Sequence, residues 1–146
     1  MIGFRIDKTM FFDRKKVVDA TDRASRRVLS RFGAFVRQRA RTSIRRRKGT
    51  STPGSPPHSH TGLLRRLIFF GYDTRRRSVV IGPTALNSAS EAPELLEHGG
   101  TTTLTRGGKR VRARYRPRPF MGPALEAEQP KLPAMWHNSI TPGPRN

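Results

Sequence analysis

Between Asp13 and Ile44 the apolar residues Val17, Ala20, Ala24, Val28, Phe32 and Phe35 recur every three or four positions. That spacing predicts one stripe of a long amphipathic helix. Asp13, Asp19 and Asp22 stand toward its start, and Arg37, Arg39 and Arg41 toward its end. Both placements suit the helix macrodipole. Fourteen Lys/Arg against three Asp between Asp13 and Lys48 make the remaining face strongly basic.

The pattern then changes to short runs of strand formers. Leu67-Ile68-Phe69-Phe70-Gly71-Tyr72 and Ser78-Val79-Val80-Ile81-Gly82 are rich in strand formers and predict an antiparallel hairpin turning at Asp73 to Arg77. Glu91 to His98 predicts a short helix stopped by Gly99-Gly100. Thr101 to Leu104 and Val111 to Tyr115 flank Arg106-Gly107-Gly108-Lys109, which predicts a second hairpin. In its second strand Val111, Ala113 and Tyr115 alternate with Arg110, Arg112, Arg114 and Arg116, so the arginines share one face. Four cations so close repel one another. An anion, an acidic partner or the solvent around a protected edge strand would each offset that repulsion, and the residues leave the choice open.

Two segments are set apart by proline and glycine. Gly49 to Gly62 holds three prolines, three glycines and six Ser/Thr, and predicts a flexible loop or arm. Arg116 to Leu125 holds three prolines, each fixing φ and removing a backbone donor. It reads as a stiff connector delivering Phe120 and Met121 to one place, either the chain's own core or a contact with a neighbour. Pro123 to Ile140 predicts a helix interrupted near Pro130 and Pro133 that folds back onto the sheet, with Trp136 as a core or interface anchor. Thr141 to Asn146 predicts a frayed tail. The expected architecture is α+β, a single domain over residues 1–146. A long basic N-terminal helix packs on a small antiparallel sheet of hairpins, with a short helix and a C-terminal helix.

Composition restricts what such a domain does. Net charge is +20 and hydrophobic content 34%, a balance that seeks polyanions or acidic protein surfaces. With no cysteine there is neither disulfide nor thiolate chemistry. No apolar run nears the ~20 residues of a membrane span, and Met1 to Phe12 lacks the pattern of a secretory signal. The expected setting is a cytoplasm, or an assembly built there, without a membrane. Glu94-Leu95-Leu96-Glu97-His98 is half of an inverted zinc-protease motif without its first histidine. His58 and His60 have no evident third ligand. Gly107-Gly108-Lys109 lacks the upstream glycine and following Ser/Thr of a phosphate loop. No cofactor and no enzymatic activity are expected.

The order of motifs is more specific than any one of them. After the basic helix come Pro53-Gly54-Ser55-Pro56-Pro57-His58-Ser59-His60-Thr61-Gly62-Leu63-Leu64, then Leu96-Glu97-His98-Gly99-Gly100, then Arg118-Pro119-Phe120-Met121-Gly122-Pro123-Ala124-Leu125. This series resembles the minor tail-component, or tail-completion, proteins of long-tailed double-stranded DNA bacteriophages, over residues 39 to 140. The chain departs from the family in its density of arginine. It also departs where members carry a compact Glu-aromatic-Gly-Thr segment and this chain has Glu97-His98-Gly99-Gly100-Thr101.

The resemblance implies a virion protein of the head–tail junction, assembled in the host bacterial cytoplasm. It would form a ring, usually a homohexamer, between the head connector or stopper and the tail terminator or tail tube, with double-stranded DNA passing through the lumen. On that reading Arg118, Pro119, Phe120, Met121, Pro123, Leu125 and Trp136 would form a subunit interface. Pro53, Gly54, Pro56, Pro57, His58, Thr61 and Gly62 would form an assembly arm, and Arg110, Arg112, Arg114 and Arg116 would face DNA or an acidic partner. The rival expectation is a basic protein that binds nucleic acid without regard to sequence.

Overall fold

The computed structural model describes residues 13–84 and 91–140, and its spine is one helix, α1 (Arg14–Ser43). At 1.5 Å per residue it is about 45 Å long. Asp13 caps its start, accepting a hydrogen bond from the Lys16 N–H at 3.1 Å. That N–H, the largest influence on it, holds the Asp13 carboxyl below the usual aspartate range.

The buried row on α1 differs from the expected stripe. Ala24, Val28, Phe32, Val36 and Ala40 are buried at four-residue intervals, and Ile44 is buried just past the helix end. Four residues turn a helix by 400°, so each step drifts 40° and the row from Ala24 to Ala40 winds about 160° around the axis. Different elements therefore cover the two ends. Phe35, in line with Ala24 and Val28, falls where the cover has moved on and is 40% exposed. The Arg31 guanidinium sits 5.7 Å from its ring centroid, a cation–π contact at the surface. Val17 is likewise exposed.

A single-turn helix α2 (Leu63–Arg66) leads into strands β1 (Ile68–Asp73) and β2 (Ser78–Pro83). They pair antiparallel, with Phe70 opposite Ile81 and Tyr72 opposite Val79. This hairpin lies across α1 at Gly33, where an added Cβ would come within 2.7 Å of Val79 Cγ2 and 3.0 Å of the Phe70 ring. The helix glycine is there to let the hairpin approach. Arg37 Nε donates to the Ile68 carbonyl at 2.8 Å and ties the two together.

Helix α3 (Ala92–His98) precedes strands β3 (Gly100–Arg106) and β4 (Lys109–Tyr115). The two hairpins do not merge: each is its own two-stranded sheet. Gly99 and Gly100, at φ 73° and 147°, swing the chain away from the body between them, and β3 and β4 pack mainly on each other. The chain closes with α4 (Met121–Glu128), a 3₁₀ turn (Gln129–Lys131) and α5 (Leu132–Trp136). Pro130 and Pro133 stand in the first turns of the last two pieces, where a missing N–H costs nothing. The expectation that this region folds onto the sheet is corrected, since α4 and α5 pack on α1. The core gathers α1, α2, β1 and α4 through residues such as Val36, Ile44, Ile68 and Phe120. The expected tail at 141–146 and the segment Met1 to Phe12 lie outside the described residues.

Candidate assembly site

Three segments far apart in sequence meet at one place. Glu97 on α3 accepts hydrogen bonds from the backbone N–H groups of Phe120 at 2.9 Å, Met121 at 3.0 Å and Gly122 at 2.7 Å. These are the first N–H groups of α4, which has no cap of its own. A carboxylate there satisfies three orphan donors and sits at the positive end of the helix. Next to it the Arg118 N–H donates to the Leu96 carbonyl at 2.6 Å. From the other side the Gly54 N–H donates to the Pro117 carbonyl at 2.9 Å, and Arg118 Nε donates to the Ser51 carbonyl at 3.0 Å. The Pro-Gly-Ser-Pro-Pro run, the Glu-His-Gly-Gly element and the Arg-Pro-Phe-Met run thus form a single knot.

Gly99 belongs to it for a steric reason. Its φ of 73° lies in the left-handed region, and a Cβ would meet Pro117 Cδ at 2.9 Å and the Tyr115 carbonyl oxygen at 3.0 Å. The knot therefore clamps both strands of the second hairpin at their base, leaving the rest to project.

The segment expected as a free arm lies against the body. Pro57 is fully buried and Ser51 and Ser59 are nearly so. The Ser59 N–H donates to the Arg45 carbonyl at 2.9 Å, and His58 Nδ1 pairs with the Gly49 carbonyl at 2.8 Å. Gly54 and Gly62 take φ of 83° and 76°, Gly62 opening α2. Pro53, Gly54 and Thr61 are exposed, while Pro56, His58 and Gly62 are half-buried.

The expected interface residues divide. Phe120 is 1% exposed and belongs to the chain's own core, so its expected role as an anchor for a neighbouring subunit is corrected: the ring has no surface left to offer. Arg118, Pro119 and Met121 are half-buried, and Pro123 is exposed. Leu125 at 43% and Trp136 at 37% remain open to solvent. Arg110, Arg112, Arg114 and Arg116 are all exposed. The first three lie opposite Thr105, Thr103 and Thr101 in the ladder, giving the hairpin one arginine–threonine face.

A second charged element locks α4 to α1. Glu128, 3% exposed, is held by the Arg39 guanidinium and by Lys131 Nζ at 2.8 Å. The Lys131 hydrogen bond, and after it that of Arg39, keep its carboxyl below the usual glutamate range despite the opposing effect of burial. Sequence reading assigned no role to Glu97 or Glu128. A readable signal exists for both, because they stand in stretches otherwise free of Lys and Arg.

Among the described residues no three His, Asp or Glu side chains gather into a metal site, and no helix is long and apolar enough to cross a membrane. No known family model matches the chain, and no curated protein or solved structure is significantly similar to it. The class defined by fold and site together is an α+β domain from which a clamped, arginine-faced hairpin projects.

Proposed function

We propose that this chain is a structural subunit of the head–tail junction of a long-tailed double-stranded DNA bacteriophage, a tail-completion or neck protein. One observation carries the reading. The three motif segments behind the family resemblance are brought together in one hydrogen-bonded knot, which is what a shared structural signature requires. That knot holds out a hairpin suited to bridging subunits. In this role copies of the chain form a ring, sixfold in the family it resembles. The ring joins the head connector to the tail terminator or tube, and DNA crosses its lumen. The protein does no chemistry there; its place is in the virion.

The test is electron microscopy of lysates from the phage or prophage with this gene deleted. Filled heads beside separate tails, or tails of faulty length, are the expected result. Normally joined virions would overturn the reading.

One observation favours the second reading, a basic protein that binds nucleic acid regardless of sequence. The arginine pairs among the described residues are Arg39–Glu128 and Arg77–Asp22, so the excess of cations is not neutralised within the chain. Retention on generic duplex DNA at physiological salt by the purified monomer supports that reading; release well below it favours the junction subunit.

A further inference from the structure

The charge of this chain is unevenly spread. Residues 78–105 contain no Lys or Arg but carry Glu91, Glu94 and Glu97, and residues 119–130 contain none but carry Glu126 and Glu128. Between them, residues 106–118 hold seven Lys/Arg and no acid.

The two acidic stretches border one cleft. It lies among α1, β2, α3 and α4, has a volume of about 410 Å³, and is lined by Val79, Ile81, His98, Met121 and Leu125. Glu94 stands one turn before His98 on α3, and Glu126 follows Leu125 on α4; both are exposed. The seven-cation stretch is the other side of the complementarity. On the hairpin face opposite the arginine–threonine ladder, Arg106 and Lys109 pair at the tip, and Leu104 pairs with Val111 behind them. Leu104 is 44% and Val111 49% exposed. The face is an apolar knob with a cationic tip, and the cleft is an apolar hole walled by the helices that carry Glu94 and Glu126.

The knob does not reach its own hole. The hairpin starts at the cleft wall, clamped at Gly99, and strands of seven residues carry its tip about 20 Å away. We propose that the Leu104/Val111 face docks in the cleft of a second copy of this chain, placing Arg106 and Lys109 beside that copy's Glu94 and Glu126. This rests on the ring reading and gives it a contact. Knob and hole on different patches of one chain make a heterologous interface, which repeats head to tail until it closes. The overall charge opposes association, but at ~0.1 M salt it is screened beyond about 10 Å, while the local pairs are opposite in sign. The arginine–threonine face stays free for a polyanion.

Because the chain has no cysteine, introduced thiols report the contact directly. Leu104→Cys and Leu125→Cys in one chain, oxidised at high protein concentration, should give a ladder of cross-linked species beyond the dimer, and the two single variants mixed should give dimers. Lys109→Glu should weaken association measured by sedimentation roughly tenfold or more. Adding Glu94→Lys to that chain should recover it. If the unmodified chain sediments as a ring while Lys109→Glu changes nothing and no ladder forms, the docking is overturned and the ring reading stands. A chain monomeric at every concentration that never cross-links also overturns the docking, and the gene-deletion phenotype then judges the ring reading separately.

Discussion

Glu97 and Gly122 meet at 2.7 Å, carboxylate oxygen to backbone N–H, across 25 residues of chain. The same carboxylate serves Phe120 and Met121, so one side chain on α3 starts α4 and fixes the base of the projecting hairpin. Charge-assisted bonds of this sort contribute more than neutral ones. Glu97→Ala should lower unfolding free energy by about 2–4 kcal/mol, and Glu97→Gln, which keeps one acceptor oxygen, by about 1–2. Urea denaturation of the three proteins checks the order, and equal stability of all three would show that the cap contributes nothing.

Phe120→Ala addresses the corrected expectation. A ring 1% exposed among Val36, Ile44, Ile68 and Ala124 cannot be removed without leaving a cavity. The expected loss is about 3–5 kcal/mol, seen as a lower denaturation midpoint in the isolated chain. An unchanged midpoint would return Phe120 to the surface role.

Gly33→Ala sets two effects against each other. In a free helix alanine gains about 1 kcal/mol over glycine. Here its Cβ would press on Val79 Cγ2 at 2.7 Å, and the stiff, β-branched valine has little room to yield. Overpacking of about 1–3 kcal/mol should win, making the variant less stable than the parent by thermal melting. A raised melting temperature would mean that the first hairpin lifts off freely.

Glu128 makes stability depend on pH. Lys131 and Arg39 depress its folded-state value. A depressed carboxyl adds stability that is fully present above its unfolded value and is lost as pH falls through the folded one. Glu128→Gln should therefore cost about 1–3 kcal/mol at neutral pH, and the gap should narrow as pH is taken down from about 4.3. Denaturation of both proteins at pH 7 and in acid measures it. A gap independent of pH would assign the loss to packing alone.

Much of the fold is legible locally, and most of the candidate site is not. The long basic helix, both hairpin turns and the short helix before Gly99 depend on near neighbours and are read from spacing. The phase of the buried face on α1 is not, because which residues are covered changes as α4 and the first hairpin take turns on it. Val17 and Phe35 fit the period yet lie open, while Val36, Ala40 and Ile44 are buried. Likewise a Pro/Gly/Ser run reads as an arm until its partners at Pro117 and Arg118 are known. The knot around Glu97 is built wholly from contacts distant in sequence, and no periodicity encodes them.

Arg112 and Arg114 are the sharpest probe of what the projecting hairpin is for. Both are exposed and lie opposite Thr103 and Thr101 rather than an acid, so no ion pair is lost when they change. Arg112→Glu with Arg114→Glu should leave the unfolding midpoint within about 0.5 kcal/mol of the parent. If the ladder meets phosphates, the slope of log K against log salt for duplex DNA should shrink by roughly two, and affinity should fall equally for all sequences. In the particle the same variant should join heads to tails poorly. Normal joining with unaltered DNA binding would remove the arginine face from the mechanism and leave the hairpin's apolar side as its working surface.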